Sequence, residues 1–140
     1  VSGWSRIAAK YDFLLVCIEN HLNSTATEMM ELIVHLEEKY HIDSEKIYST
    51  GFSMGGCKSW DMYQEYPQVF AAVAPMDATF DVGCNSYGSE VPGFNQDKIV
   101  PVFYTGGEIT PLPELPFQAQ KCTDRMGYVM KINQTKTFSR

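Results

Sequence analysis

The sequence predicts an α/β domain built on a parallel sheet, and three observations predict it. Apolar runs that read as strands alternate with segments of helical periodicity. The run 13–18, Phe13-Leu14-Leu15-Val16-Cys17-Ile18, is continuously apolar, as a strand covered on both faces would be. Ser53, with a glycine two residues to either side, stands where a β-rich run, 46–50, gives way to a helix-permissive run, 57–65.

The elements follow in order. Residues 2–10 place Trp4, Ile7 and Ala8 on one stripe and predict a short amphipathic helix. Strand 13–18 comes next. Asn23-Ser24-Thr25 offers helix caps, and Thr25 with Glu28 fits a capping box. Met29, Leu32, Ile33, Leu36 and Tyr40 then recur at helical spacing, with Glu31, Glu37, Glu38 and Lys39 largely off that stripe. This is a helix of about four turns. Asp43 opens a turn into strand 46–50. After helix 57–65, Tyr66-Pro67 stops the chain, because a residue before proline is pushed out of the α region. Residues 70–75 form another buried strand.

Residues 77–98 are glycine-rich, polar and without periodicity, and read as a long surface loop at the functional edge. Residues 99–104 form the next strand. A proline-rich loop, 110–113, leads to a helix at 114–126, and 128–132 is a last strand. Nothing divides the chain, so residues 1–140 form a single domain. The sequence begins at Val1 inside a helix-like segment and ends at Arg140 without a tail. It therefore reads as one piece of a longer polypeptide, its sheet incomplete at both ends.

Composition narrows the function. The chain has 140 residues, is 44% hydrophobic and 20% charged, and carries a net charge of −6. These values fit a soluble globular domain with a real core, in the cytoplasm or secreted. The negative charge, with no cluster of lysine or arginine, argues against a nucleic-acid partner. No apolar run is long enough to span a membrane. Cys17, in the apolar strand, and Cys57, in the helix after Ser53, read as buried free thiols. Cys84 and Cys122 either pair or stay reduced. His21, His35 and His41 have no metal-ligand spacing with each other or with cysteine, so no metal is expected.

Gly51-Phe52-Ser53-Met54-Gly55-Gly56 fits G-x-S-x-G, the nucleophile-elbow pattern of serine hydrolases, and it lies in the strand–turn–helix setting the pattern requires. The turn must be tight enough to lift the serine Oγ clear of the sheet, which forces a strained backbone. Gly51 and Gly55 are expected to remove side chains that would collide. The N–H of Met54, at the start of the following helix, is expected to face a developing oxyanion. In parallel sheets ligands bind beyond the carboxyl ends of the strands. Ser53, His21, Asp77 and Glu108 each follow a predicted strand and should share that edge.

Two stretches carry a family resemblance. Residues 32–56 run from Leu32 through His41-Ile42-Asp43 and the strand to Gly55-Gly56. Residues 66–75 read Tyr66-Pro67-Gln68-Val69-Phe70-Ala71-Ala72-Val73-Ala74-Pro75. Together they resemble the polyhydroxybutyrate-depolymerase-like and feruloyl-esterase-like α/β-hydrolases. The resemblance is good over 32–75 and loose over most of the rest. It implies an α/β-hydrolase sheet and a Ser–His–acid esterase without a cofactor, acting on a small-molecule or polymeric ester.

The resemblance also implies what this stretch lacks. The strand whose loop donates the second oxyanion N–H would precede Val1. No histidine follows Ser53, so the catalytic base would follow Arg140. The family acid follows the strand at 100–104. That loop here reads Gly106-Gly107-Glu108-Ile109-Thr110-Pro111, with Glu108 or Thr110 near the position where the family commonly has aspartate. Glu108 is thus the first candidate acid and Asp77 the alternative. His21 is a candidate substrate contact, and Tyr87 and Phe94 in the 77–97 loop are weaker ones. Trp60 and the tyrosines read as packing residues. A second reading stays open, in which the chain is a non-catalytic remnant or interaction module that keeps the elbow alone. Sheet edges left unpaired by the missing strands would favour self-association into a homo-oligomer.

Overall fold

In the computed structural model of the chain, the described residues are 3–20, 23–78 and 100–106. The order is α1 (Trp4–Tyr11), α2 (Ala26–Lys39), β1 (Tyr48–Phe52), α3 (Met54–Glu65), a 3₁₀ turn (Pro67–Val69) and β2 (Ala72–Met76). β1 and β2 pair in parallel, with Tyr48 opposite Ala72 and Phe52 opposite Met76. The extended segment 101–105 continues this order on the far side of β2 through parallel bridges Val73–Val102 and Met76–Thr105. Pro101 has no N–H to donate, which limits that ladder. Its carbonyl still accepts from Val73 N–H at 3.0 Å, and Phe103 N–H donates to Val73 O at 2.9 Å. A parallel sheet flanked by helices is an α/β fold.

The helices start and stop where local chemistry directs. Glu28 N–H donates to Thr25 Oγ1 at 3.1 Å, and Thr25 N–H donates to Glu28 Oε2 at 2.7 Å, so the capping box of α2 closes in both directions. The Thr25 N–H bond, reinforced by the Thr25 hydroxyl, holds the Glu28 carboxyl below its ordinary pKa. β1 begins two residues later than the sequence predicts. Lys46 belongs to the preceding turn, its N–H bonded to Asp43 O at 2.9 Å and its ammonium 2.7 Å from the Asp43 carboxylate. β2 is displaced in the same way, running Ala72–Met76 where 70–75 was expected. α3 ends at Glu65, immediately before Tyr66-Pro67.

The predicted strand 13–18 does not form. Phe13 N–H closes the end of α1 on Ala8 O at 3.2 Å, behind an Asp12 with φ of 52°. Among the described residues no other main-chain bond engages the run, and none joins it to β1. Phe13, Leu14 and Val16 are 42%, 49% and 43% exposed, and Cys17 is a free, exposed thiol rather than a buried one. Continuous apolarity reports a preference for cover on both faces. Pairing needs a strand within hydrogen-bonding reach as well, and among the described residues the run bonds to none.

The core lies between α3 and the sheet. Trp60, Tyr63, Phe70, Val73 and Val100 are all buried, with Met29 and Ala26 of α2 closing the same cluster. Burying each large apolar side chain contributes roughly 1.5–3 kcal/mol relative to leaving it exposed. The rings of Trp60 and Tyr63 lie 6.3 Å apart, and their polar tips are satisfied. Trp60 Nε1–H donates to Ala78 O at 2.9 Å, and Tyr63 OH accepts from Val100 N–H at 3.4 Å. These two bonds fix α3 against the chain leaving β2 and the chain entering the third extended segment. Among the described residues no helix is long and apolar enough to cross a membrane.

Candidate active site

One residue separates β1 from α3, and it is Ser53. Its backbone has φ 52° and ψ −115°, outside every region that a residue with a side chain adopts without strain. Two main-chain bonds hold it there. Ser53 N–H donates to Met76 O across the sheet at 2.9 Å, and Ser53 O accepts from Cys57 N–H at 3.0 Å as the first bond of the helix. Ser53 occupies the N-cap position, yet its hydroxyl makes no capping bond. The side chain is exposed at the carboxyl end of a parallel strand.

The glycines divide the work differently from the expectation. A Cβ on Gly51 would strike the backbone of Gly55, 2.8 Å from its Cα and closer still to its carbonyl group. A Cβ on Gly56 would lie 2.6 Å from Ala78 Cβ and 3.0 Å from both Gly51 O and Met76 O. A Cβ on Gly55 would meet nothing within 4 Å. Gly51 and Gly56 therefore provide the close approach of strand to helix. Gly55 matters through its backbone, which is the surface Gly51 packs on.

Met54 is the first residue of α3. Helix N-terminal N–H groups have no partner within the helix, so its amide is available to an acceptor at this edge. Asp77 lies directly after β2, one strand over from Ser53, and also has positive φ, at 48°. Its N–H donates to Thr105 O at 2.8 Å. Ser53 and Asp77 thus share the carboxyl edge. His21, Glu108, Thr110, Tyr87 and Phe94 lie outside the described residues. His35 is exposed on α2, in a groove lined by Met30, Val34 and Tyr66, and His41 stands in the connection that enters the amino end of β1. Neither histidine is on the carboxyl edge with Ser53. No group of side chains able to hold a metal ion occurs among the described residues.

Two features behind the Ser53 turn differ from what the sequence predicts or leave no clear mark in it. Ser49 Oγ, on β1, donates to Ser59 Oγ on α3 at 3.1 Å, and Ser59 Oγ donates to Gly55 O at 3.2 Å. The i to i+4 spacing of Gly55 and Ser59 could have raised the second bond, since serine within a helix often bonds back to that carbonyl. Cys57, expected to be a free thiol, is disulfide-bonded in the first turn of α3. Its partner lies outside the described residues, as do Cys84 and Cys122. Sequence spacing gives no sign of such a bond, because the partner is brought close only by the fold.

Among solved structures, the chain is similar to a thermostable esterase, at 27% identity and a TM-score of 0.53, over 71% of this chain and 24% of that one. The chain thus corresponds to about a quarter of that esterase's length. No protein-family description and no curated protein matches the sequence.

Proposed function

We propose that this chain carries the nucleophile of a serine ester hydrolase with an α/β-hydrolase sheet. The observation that carries the reading is the backbone of Ser53, strained at φ 52° and ψ −115° in a one-residue turn between a parallel strand and a helix. Strain of this kind is retained where function requires it. The likeness to an esterase supports the same reading.

In the proposed reaction, Ser53 Oγ attacks the ester carbonyl carbon while a histidine takes its proton. The tetrahedral oxyanion is met by backbone N–H groups including that of Met54, each contributing about 3 kcal/mol. The C–O bond to the alcohol breaks, the alcohol leaves with the proton, and water releases the acid from the acyl-enzyme. We also propose that the chain belongs to a longer polypeptide, a reading supported by its match to about a quarter of the esterase's length, and that the base lies after Arg140, since no histidine follows Ser53. Glu108 is proposed as the acid that orients it. A second assignment, Asp77, is favoured by that residue's position beside Ser53 at the carboxyl edge. The substrate is a carboxylic ester of a sugar, a phenolic acid or a short hydroxyacid.

The test is hydrolysis of a small chromogenic ester by the longer polypeptide, together with fluorophosphonate labelling. Turnover and labelling should both vanish in Ser53→Ala while the circular dichroism spectrum stays unchanged. The 140-residue chain by itself should be slower by several orders of magnitude, because triad members act as a unit. Parent-like turnover from it would mean that His21, His35 or His41 is the base. Undiminished turnover in Ser53→Ala would reject the reading outright.

A further inference from the structure

Helix α3 opens on a weakly helix-forming sequence. Gly55-Gly56 lie in its first turn, where each glycine costs about 1 kcal/mol relative to alanine and leaves the peptide planes free to tilt. That turn also holds the Met54 amide and receives the strained Ser53. It therefore has to be stiffened by contacts beyond the helix's own main-chain ladder. The crowding of Gly51 and Gly56 against their neighbours limits inward movement only.

We propose that Ser59 is a positioning residue for the elbow, held in its role by Ser49. Ser59 is 2% exposed. Its hydroxyl donates to Gly55 O and accepts from the Ser49 hydroxyl, so the two serines run a directed chain of hydrogen bonds from the strand before the elbow to the carbonyl inside the first helical turn. Ser49 is half-buried and in register with Val73 at the centre of the sheet, so the chain is anchored in a fixed element. The bond on Gly55 O fixes the peptide plane between Gly55 and Gly56. That plane sets the pitch of the turn from which the Met54 N–H projects. Neither serine touches substrate, and Ser59 acts through the backbone of Gly55.

The proposal rests on the esterase reading only for its catalytic consequence, so the test has two arms. In the first, amide hydrogen exchange is followed by mass spectrometry on the 140-residue chain. Ser59→Ala should speed exchange in the peptide spanning 50–58 by about five- to tenfold, as loss of one buried hydrogen bond would. Exchange in α2 should not change. Ser49→Thr should behave as wild type, and Ser49→Val, which matches threonine in shape but lacks the hydroxyl, should behave as Ser59→Ala. Unchanged exchange at 50–58, or equal acceleration throughout β1, α2 and α3, would overturn the proposal. In the second arm, hydrolysis by the longer polypeptide should lose about tenfold in kcat with KM within about twofold for Ser59→Ala and Ser49→Val, and keep both for Ser49→Thr. A change in KM alone would overturn the positioning role. If Ser53→Ala proves as active as wild type, the esterase reading falls, and the exchange arm still decides whether Ser59 holds the turn.

Discussion

Ser53 and Asp77 turn through positive φ side by side, at 52° and 48°, each one residue past the carboxyl end of its strand. The carbonyl of Met76 accepts the Ser53 N–H, and the next residue, Asp77, hands its own N–H to Thr105. Two adjacent strands therefore leave the sheet by left-handed turns tied one to the next across the ladder. Adjacent strands stand about 4.8 Å apart. An aspartate and a serine are thus placed on neighbouring strand ends, which is why Asp77 stands beside Glu108 as a proposed acid.

The choice between the two has a direct test. Exchanging carboxylate for amide preserves shape and removes the charge that stabilises an imidazolium. Glu108→Gln should lower kcat for ester hydrolysis by roughly 10³–10⁴-fold while Asp77→Asn stays within about tenfold. The reverse ranking would transfer the acid to Asp77.

Strain at Ser53 should be measurable as stability. Glycine adopts φ 52° without steric cost, whereas a residue with a Cβ loses of order 1–3 kcal/mol there. Ser53→Gly also makes the unfolded chain looser, which offsets up to about 1 kcal/mol. Ser53→Gly should therefore be more stable than wild type by roughly 1 kcal/mol in urea unfolding, and inactive. A loss of stability would show that the observed backbone carries no strain.

The glycines of the elbow should differ in opposite directions. Gly51→Ala drives a Cβ into the Gly55 backbone and should cost at least about 3 kcal/mol or prevent folding. Gly55→Ala meets open space on a helical residue and should stabilise by up to about 1 kcal/mol. Thermal melts of the two variants decide it.

Two carboxyls should give pH dependences of opposite sign. Burial raises the Asp61 pKa above its ordinary value, with Lys58 at 3.2 Å opposing. The folded state then holds that proton more tightly than the unfolded chain, so Asp61 favours folding at acid pH and loses that contribution as pH rises past its ordinary 3.8 toward the folded value. Asp61→Asn should gain in Tm relative to wild type over that interval. Glu28 is lowered by its bonds to Thr25, so its contribution is present above its ordinary 4.5 and lost as pH falls through the folded value. The deficit of Glu28→Gln should therefore close on acidification. Melting curves from pH 3 to 8 measure both.

The thiols should separate chemically. Exposed Cys17 should react with iodoacetamide in the native protein, and Cys57 only after reduction. Peptide mapping before and after reductant reads this out, and native alkylation of Cys57 would contradict the disulfide.

Residues 25–76 were legible because their signals are local. A threonine three residues before a glutamate, a helical stripe from Met29 to Tyr40, and a serine between glycines each specify structure within a few positions. The first strand starts at 48 because Lys46 closes the Asp43–Lys46 turn, and the second starts at 72 because Phe70 caps the 3₁₀ turn at Pro67–Val69. The run 13–18 misled because pairing depends on a neighbour that apolarity cannot report. The cysteines misled because burial and bonding are set by distant parts of the chain. Ser53 itself was visible, while the serines behind it were not, since hydroxyl-to-hydroxyl contacts have no sequence pattern of their own.

The connection from Phe52 to Met54 has no slack. Adding one residue would break the Ser53–Met76 bond and rotate α3 by about 100° about its axis, turning Trp60 and Tyr63 out of the core. Deleting one would force helix and strand through each other at Gly51. Length variation is thereby forbidden at Ser53 and left to segments farther along the chain. An enzyme built on such a joint would change its substrates by lengthening the loops around the serine, with the serine itself fixed to the sheet like a datum from which the rest of the pocket is measured.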